Sequence, residues 1–306
     1  MRDEILKCLG EFPVKTDLNV TVLETIEKPA YIRQLIEYNV EINERVQSYL
    51  LIPKEKKKQY PAIVAIHQHA SNWAVGKSEV VGLTNHDMYS YGKDLVQKGF
   101  VVIAPDLLCF EDRIQQNFRK DRETQKAYER FAFCQNIWKG SCLQTKYLND
   151  LTSAVDVLCT LSFVDKENIG AIGHSLGGQE AVWLSWYDNR IKAGVSSCGV
   201  STIASILDHH ILHNFALYVP GLSKICDMDE IISEIMPRSF LCLSGSKDER
   251  HFPISGIRAI EERVNRKCKE LGIEECFTSI IFDGGHEFKE NEKRFAYQWL
   301  QQKLHT

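Results

Sequence analysis

The rhythm of apolar residues changes near residue 60. Upstream, residues 1–12 set Ile5, Leu6, Leu9 and Phe12 on one side of a short amphipathic helix. Residues 18–52 then give three segments, 19–27, 31–40 and 45–52, rich in Val, Ile, Tyr and Thr with partial alternation. This predicts strands of an antiparallel meander, closed by Pro53 and a lysine-rich turn. Downstream the apolar runs are short and unbroken, at 62–66, 100–104, 169–172, 193–196, 240–243 and 279–282. Such runs suit strands covered on both faces, as in a parallel sheet. Helical patterns fall between them, at 89–98, 147–161, 179–187, 254–271 and 289–304. Antiparallel strands followed by alternating strand and helix predict an α/β fold, a mostly parallel mixed sheet flanked by helices.

Two stretches break the alternation. Residues 107–145 and 201–236 each follow a strand end and are too long for plain loops, so each should hold helices of its own. Both leave the C-terminal edge of the sheet, where open α/β sheets bind ligands. They are expected to form caps over that edge. With no linker, repeat or low-complexity tract, residues 1–306 read as one domain.

Composition narrows the partners. A net charge of -4 and a pI near 6.2 give no general attraction to nucleic acid or an anionic membrane surface. No apolar stretch approaches the roughly 18 residues of a membrane span. The ten cysteines are scattered and the start lacks an apolar leader, which predicts free thiols in a cytoplasmic protein. Nothing in the chain reads as a cofactor motif. Self-association is left open.

The candidate chemistry lies at strand ends. Gly173-His174-Ser175-Leu176-Gly177 sets a serine between two glycines after an apolar run and before a helical one, the layout of a nucleophile elbow. The elbow would lift Ser175 into the open and aim the Leu176 amide at the reacting centre. A serine nucleophile needs a base and a carboxylate to orient it. His286, in the final strand-to-helix loop, is the candidate base, and Asp248, beyond the strand at 240–243, the candidate acid. Glu249 beside Asp248, and Asp283 near the histidine, compete for the acid's place. The loop after the first central strand reads His67-Gln68-His69, and its register makes the His69 amide a second oxyanion donor, with His67 as a structural brace.

These residues resemble the dienelactone hydrolase-like esterases of the α/β-hydrolase superfamily. The likeness rests on His67-Gln68-His69, Gly76-Lys77-Ser78-Glu79, Ala104-Pro105-Asp106, Gly173 to Gly178, Ser197-Cys198-Gly199 and the Asp248 and His286 loops, from about residue 45 onward. It implies an eight-stranded mixed sheet, a Ser-His-Asp triad and hydrolysis of a carboxylic ester through an acyl-enzyme. This chain departs from the pattern twice. Dienelactone hydrolases carry a cysteine where Ser175 stands, and Gln68 replaces a glycine common among relatives.

Other features have plainer readings. His209 and His213, four apart, could share a helical face and bind zinc, but without an intervening glutamate the polar face of a cap is the favoured reading. Trp183, Trp186 and Tyr187 read as core. Phe131, Phe133 and Trp138 could line a pocket or hold the cap down. The expected activity is hydrolysis of a small or medium-sized ester. A peptidase of the prolyl oligopeptidase type shares the catalytic architecture but usually carries a large accessory domain. A non-catalytic binding protein on the same fold would have no need of all three triad residues.

Overall fold

The computed structural model describes residues 1–304. A nine-stranded sheet runs in the order β1-β2-β3-β5-β4-β6-β7-β8-β9. β1 (Thr21–Glu27), β2 (Tyr31–Glu41) and β3 (Glu44–Pro53) form the predicted meander. β3 pairs antiparallel with β5 (Val101–Pro105). From there β4 (Tyr60–Ile66), β6 (Val164–His174), β7 (Ile191–Ser197), β8 (Ser239–Gly245) and β9 (Phe277–Phe282) continue in parallel. The resemblance implied eight strands. The ninth is β1, an edge strand that pairs only with β2 and is exposed along nearly its whole length.

Why the downstream runs are continuous is plain from their packing. In β4, Ala62, Val64 and Ile66 join the core beneath α5 (Leu143–Thr160) and α6 (Leu176–Tyr187), while Ile63 and Ala65 join the opposite core beneath α3 (Tyr91–Val96) and α10 (Glu290–Lys303). With both faces covered, neither can be polar. α1 (Arg2–Leu9), α8 (Met228–Ser233) and α9 (Ile254–Leu271) complete the first layer with Trp183 and Trp186 of α6, which are buried as expected. Tyr187 stacks on Phe12 at 5.0 Å.

Helix ends depart most from the sequence pattern. α1 stops at Leu9 rather than residue 12, because Gly10 turns to bridge Ser141. α5 begins at Leu143, inside the stretch assigned to the first insertion. Its opening turns bury Gln144, Thr145, Lys146, Asn149 and Asp150, so apolar periodicity could not reveal them. The first insertion otherwise contains α4 (Arg122–Trp138); the second contains α7 (Ile203–Asp208) and α8. A short α2 (Lys77–Val80) follows β4. The two insertions touch through Phe133 and Phe215, whose rings lie 5.1 Å apart.

Candidate active site

The elbow is built by steric exclusion. Ser175 lies between β6 and α6 at φ 57° and ψ -121°, a conformation costing of the order of 1–3 kcal/mol that the surroundings must impose. A Cβ on Gly173 would collide with the backbone of Gly177, and one on Gly177 with the carbonyl oxygen of Ile66. The Ser175 amide donates to Ser197 O at 2.8 Å, and the Cys198 amide to Leu243 O at 2.7 Å, which levels the ends of β6, β7 and β8. Leu176 opens α6, so its amide has no partner within the helix.

Asp248 sits in the turn after β8, almost fully buried, and its Oδ2 accepts a hydrogen bond from His286 Nδ1 at 2.7 Å. The competing acids go elsewhere. Glu249 is exposed, and Asp283 is paired with Lys247 at 2.6 Å. Burial works against the Asp248 charge, but hydrogen bonds from His251 and His286 outweigh it and hold the carboxyl below its usual range. An ionised Asp248 requires His286 to carry its proton on Nδ1, which leaves the Nε2 lone pair free. The His286 ring lies 4.8 Å from that of His174, the residue preceding Ser175. Among the described residues no hydrogen bond holds the Ser175 hydroxyl. Asp248 and His286 are thus joined directly, and Ser175 follows the residue whose ring touches that of His286.

The loop after β4 is fixed from several sides. His67 is fully buried; its Nδ1 donates to Gln68 O at 2.8 Å and its Nε2 accepts from the Leu107 amide at 3.1 Å. Burial pushes it down to about 4, so it stays neutral and acts as a brace. Gln68 turns its amide to Glu79 at 3.0 Å, and burial raises that carboxyl to about 7. His69 Nδ1 accepts from the Ser71 amide at 3.0 Å, so Nε2 carries the proton and donates to Glu129 at 3.1 Å. Trp73 Nε1 donates to the same carboxylate at 2.8 Å. Glu129 belongs to α4, so the first insertion is anchored on the loop that carries the His69 amide.

Beneath the elbow runs a second buried polar chain. Asn214 Oδ1 accepts from the Leu217 amide at 3.2 Å, which directs its Nδ2 to Gln179 Oε1 at 3.0 Å and to His213 Nδ1 at 2.9 Å. Gln179 and Gln144 in turn donate to the buried Glu180 carboxyl, which burial raises to about 8. The Cys198 thiol lies 3.8 and 3.6 Å from the carbonyl oxygens of Gly285 and Glu287 and shares its one proton between them, which braces the His286 loop. Burial, then the Asp248 charge, push that thiol up to about 12. In this setting it is a protonated brace.

The histidine pair read as a possible zinc site does not share a helical face. α7 ends at Asp208, and His210 has a positive φ. His209 bonds Ser205 O at 2.8 Å, whereas His213 lies against Phe252, 4.7 Å between ring centres. Of the cap aromatics, Phe133 packs against the second insertion, Phe131 stacks loosely on Phe118 and Trp138 is exposed. Sequence reasoning missed His251, whose Nδ1 donates to Asp248 Oδ1 at 2.8 Å, and Glu129. The Asp-x-x-His spacing was a visible signal for the first. None existed for the second, which lies 60 residues from His69.

Comparison with known proteins agrees with this architecture. Residues 46–234 match the model of the dienelactone hydrolase family. A Bacillus subtilis (strain 168) protein named "Putative hydrolase YtaP" is 29% identical over 312 residues, covering 98% of each chain. Among solved structures, a glucuronoyl esterase from Solibacter usitatus aligns with a TM-score of 0.70 at 15% identity, covering 99% of this chain and 91% of that one. Acetyl xylan esterase 1 from Thermoanaerobacterium sp. JW/SL YS485 aligns at 0.62 and 15%, covering 99% and 98%. At such identities the likeness establishes the fold.

Proposed function

The chain belongs to the dienelactone hydrolase family, and from that premise we propose that it is a serine esterase acting on a carboxylic ester of a small or medium-sized molecule. Ser175 attacks the ester carbonyl. His286 Nε2 takes the serine proton and returns it to the leaving alcohol, while Asp248 holds the imidazole in the required tautomer. The amides of Leu176 and His69 receive the oxyanion. Water, deprotonated by His286, then releases the acid and restores Ser175.

The observation that carries this reading is the 2.7 Å bond between His286 and a buried Asp248, with the His286 ring 4.8 Å from that of His174, the residue before a serine held at positive φ. The departure at Gln68 fits the same reading, because that side chain turns to Glu79. The ten free cysteines fit a reducing, cytoplasmic setting. Among the described residues, no helix is long and apolar enough to cross a membrane.

A fluorophosphonate probe is expected to label Ser175, located by peptide mass spectrometry, and Ser175→Ala is expected to abolish p-nitrophenyl acetate hydrolysis. Undiminished turnover in that variant overturns the assignment. Acyl esters of increasing length, run beside sugar acetates of the kind named for the acetyl xylan esterase, then define the acyl and alcohol preference.

A further inference from the structure

Asp248 serves two histidines. His286 Nδ1 donates to its Oδ2 at 2.7 Å, and His251 Nδ1, three residues along the same turn, donates to its Oδ1 at 2.8 Å. The two imidazoles stack, with centres 4.4 Å apart and planes 30° from parallel. Asp248 is sealed from water, but the His251 side chain is 52% exposed. One carboxylate therefore ties an inward ring to a ring that water and protons can reach. An ordinary triad needs only the first.

We propose that His251 is a positioning residue of the serine esterase centre, fixing the Asp248 carboxylate and the His286 ring and setting the pH below which hydrolysis is lost. The inference rests on the function proposed above. Two effects act in the same direction. The His251 N–H draws on the Asp248 charge, leaving less of it to stabilise a proton on His286. A proton taken up by His251 also places a positive charge against the His286 ring and opposes a second proton there. Both keep His286 available as a base in more acid solution.

The other groups facing the pair do not replace this effect. His174, at the end of β6, is fully buried and held far below its usual range by burial. His213, from the second insertion, is pushed down to about 3 by burial, and the Cys198 thiol is kept protonated. Glu287 follows His286 and pairs with Lys289, His69 is bound to Glu129, and Glu249 and Arg250 are exposed. His251 is the member of the group with both access to water and a direct bond to Asp248.

The test compares wild type with His251→Phe, which keeps a stacking ring without donor or charge, and His251→Asn, which keeps a neutral donor. Two readouts are followed in each full-length protein: the acid limb of kcat/KM for p-nitrophenyl acetate, and the NMR titration of the His286 imidazole. His251→Phe is expected to move both midpoints up by about half a unit to one unit, and His251→Asn by less. A purely structural role would lower activity and leave the midpoints in place. Midpoints in His251→Phe within about 0.2 unit of wild type overturn the proposal. The NMR titration needs no turnover, so it decides the coupling even if Ser175→Ala overturns the esterase reading.

Discussion

Two clusters of ionisable groups lie along the C-terminal edge of the same sheet, and they use their charge differently. At the ends of β4 and β5, the buried Lys77 ammonium bonds Asp106 at 2.7 Å, Glu111 at 2.8 Å and Asp112 at 2.5 Å. The Gly76 and Ser78 amides close on Glu111, and the Lys77 amide on Asp106. Every donor there has an acceptor. Burial opposes the lysine's charge, but Asp106 and Glu111 outweigh it and raise its proton affinity. At the ends of β8 and β9, Asp248 meets two imidazoles that each give it one nitrogen and keep the other. The Lys77 ammonium keeps its protons near neutral pH and ties the three carboxyl groups together, while burial raises Asp106 to about 7. A histidine keeps a lone pair, so the second cluster suits the proton transfers proposed for ester hydrolysis.

The sharpest way to break this contrast is to exchange the roles. Asp248→Asn should lower kcat for ester hydrolysis by about 10⁴-fold, because the amide favours the wrong imidazole tautomer, while the melting temperature changes little. Lys77→Met should do the reverse. It leaves the fully buried Asp106 facing Glu111 and Asp112 without a cation, at a cost of about 3–5 kcal/mol in denaturant unfolding. The protein that remains folded should keep its activity within a few-fold. If folded Lys77→Met were inactive, the first cluster would belong to the chemistry and the division would fail.

Smaller in effect, and specific to pH, is Glu180→Gln. Burial raises Glu180 from its ordinary 4.5 to about 8, so the folded protein binds a proton that the unfolded chain releases. Its contribution to stability is complete below about 4.5 and lost as pH rises through about 8. Glu79, raised to about 7, acts with the same sign. Denaturant titrations at pH 5 and pH 9 should show wild type losing stability across the interval. Glu180→Gln should flatten that slope by a few kcal/mol. An unchanged slope would mean that the Gln144 and Gln179 bonds already keep Glu180 ionised.

What was legible in the chain follows from which interactions are local. The elbow could be read because two collisions, at Gly173 and Gly177, force glycine whatever lies elsewhere. Strands buried on both faces betray themselves by unbroken apolar runs. Asp248 and His286 were placed by strand order, but what separates Asp248 from Asp283 is burial against the His286 ring, while Asp283 stays exposed with Lys247, and no spacing encodes that. The start of α5 was hidden because its buried residues are polar and satisfied by partners such as Glu41, Leu9 O and Glu180. The helix pattern that joined His209 to His213 failed because α7 gives out at Asp208.

The least legible contact gives the smallest and most discriminating prediction. Glu129 reaches from the cap to His69 and Trp73, two donors on the loop proposed to hold the oxyanion. Glu129→Gln offers one acceptor oxygen where two charge-assisted bonds had met a carboxylate, and its amide faces the donor left over. The expected cost is about 1–2 kcal/mol, seen as a lower melting temperature and faster proteolysis of residues 107–145. Because the His69 amide shares that loop, turnover should slow as well, but by no more than about tenfold, since the backbone donor is displaced rather than removed. KM for a small acetate should change less than KM for a bulkier ester that reaches the cap. If turnover instead slowed by about 100-fold or more, with the cap still protected, the His69–Glu129 pair would stand inside the reaction. The sheet edge would then carry a second histidine–carboxylate unit that exchanges protons, and the contrast between a holding cluster and a reacting one would have to be redrawn around the loop after β4.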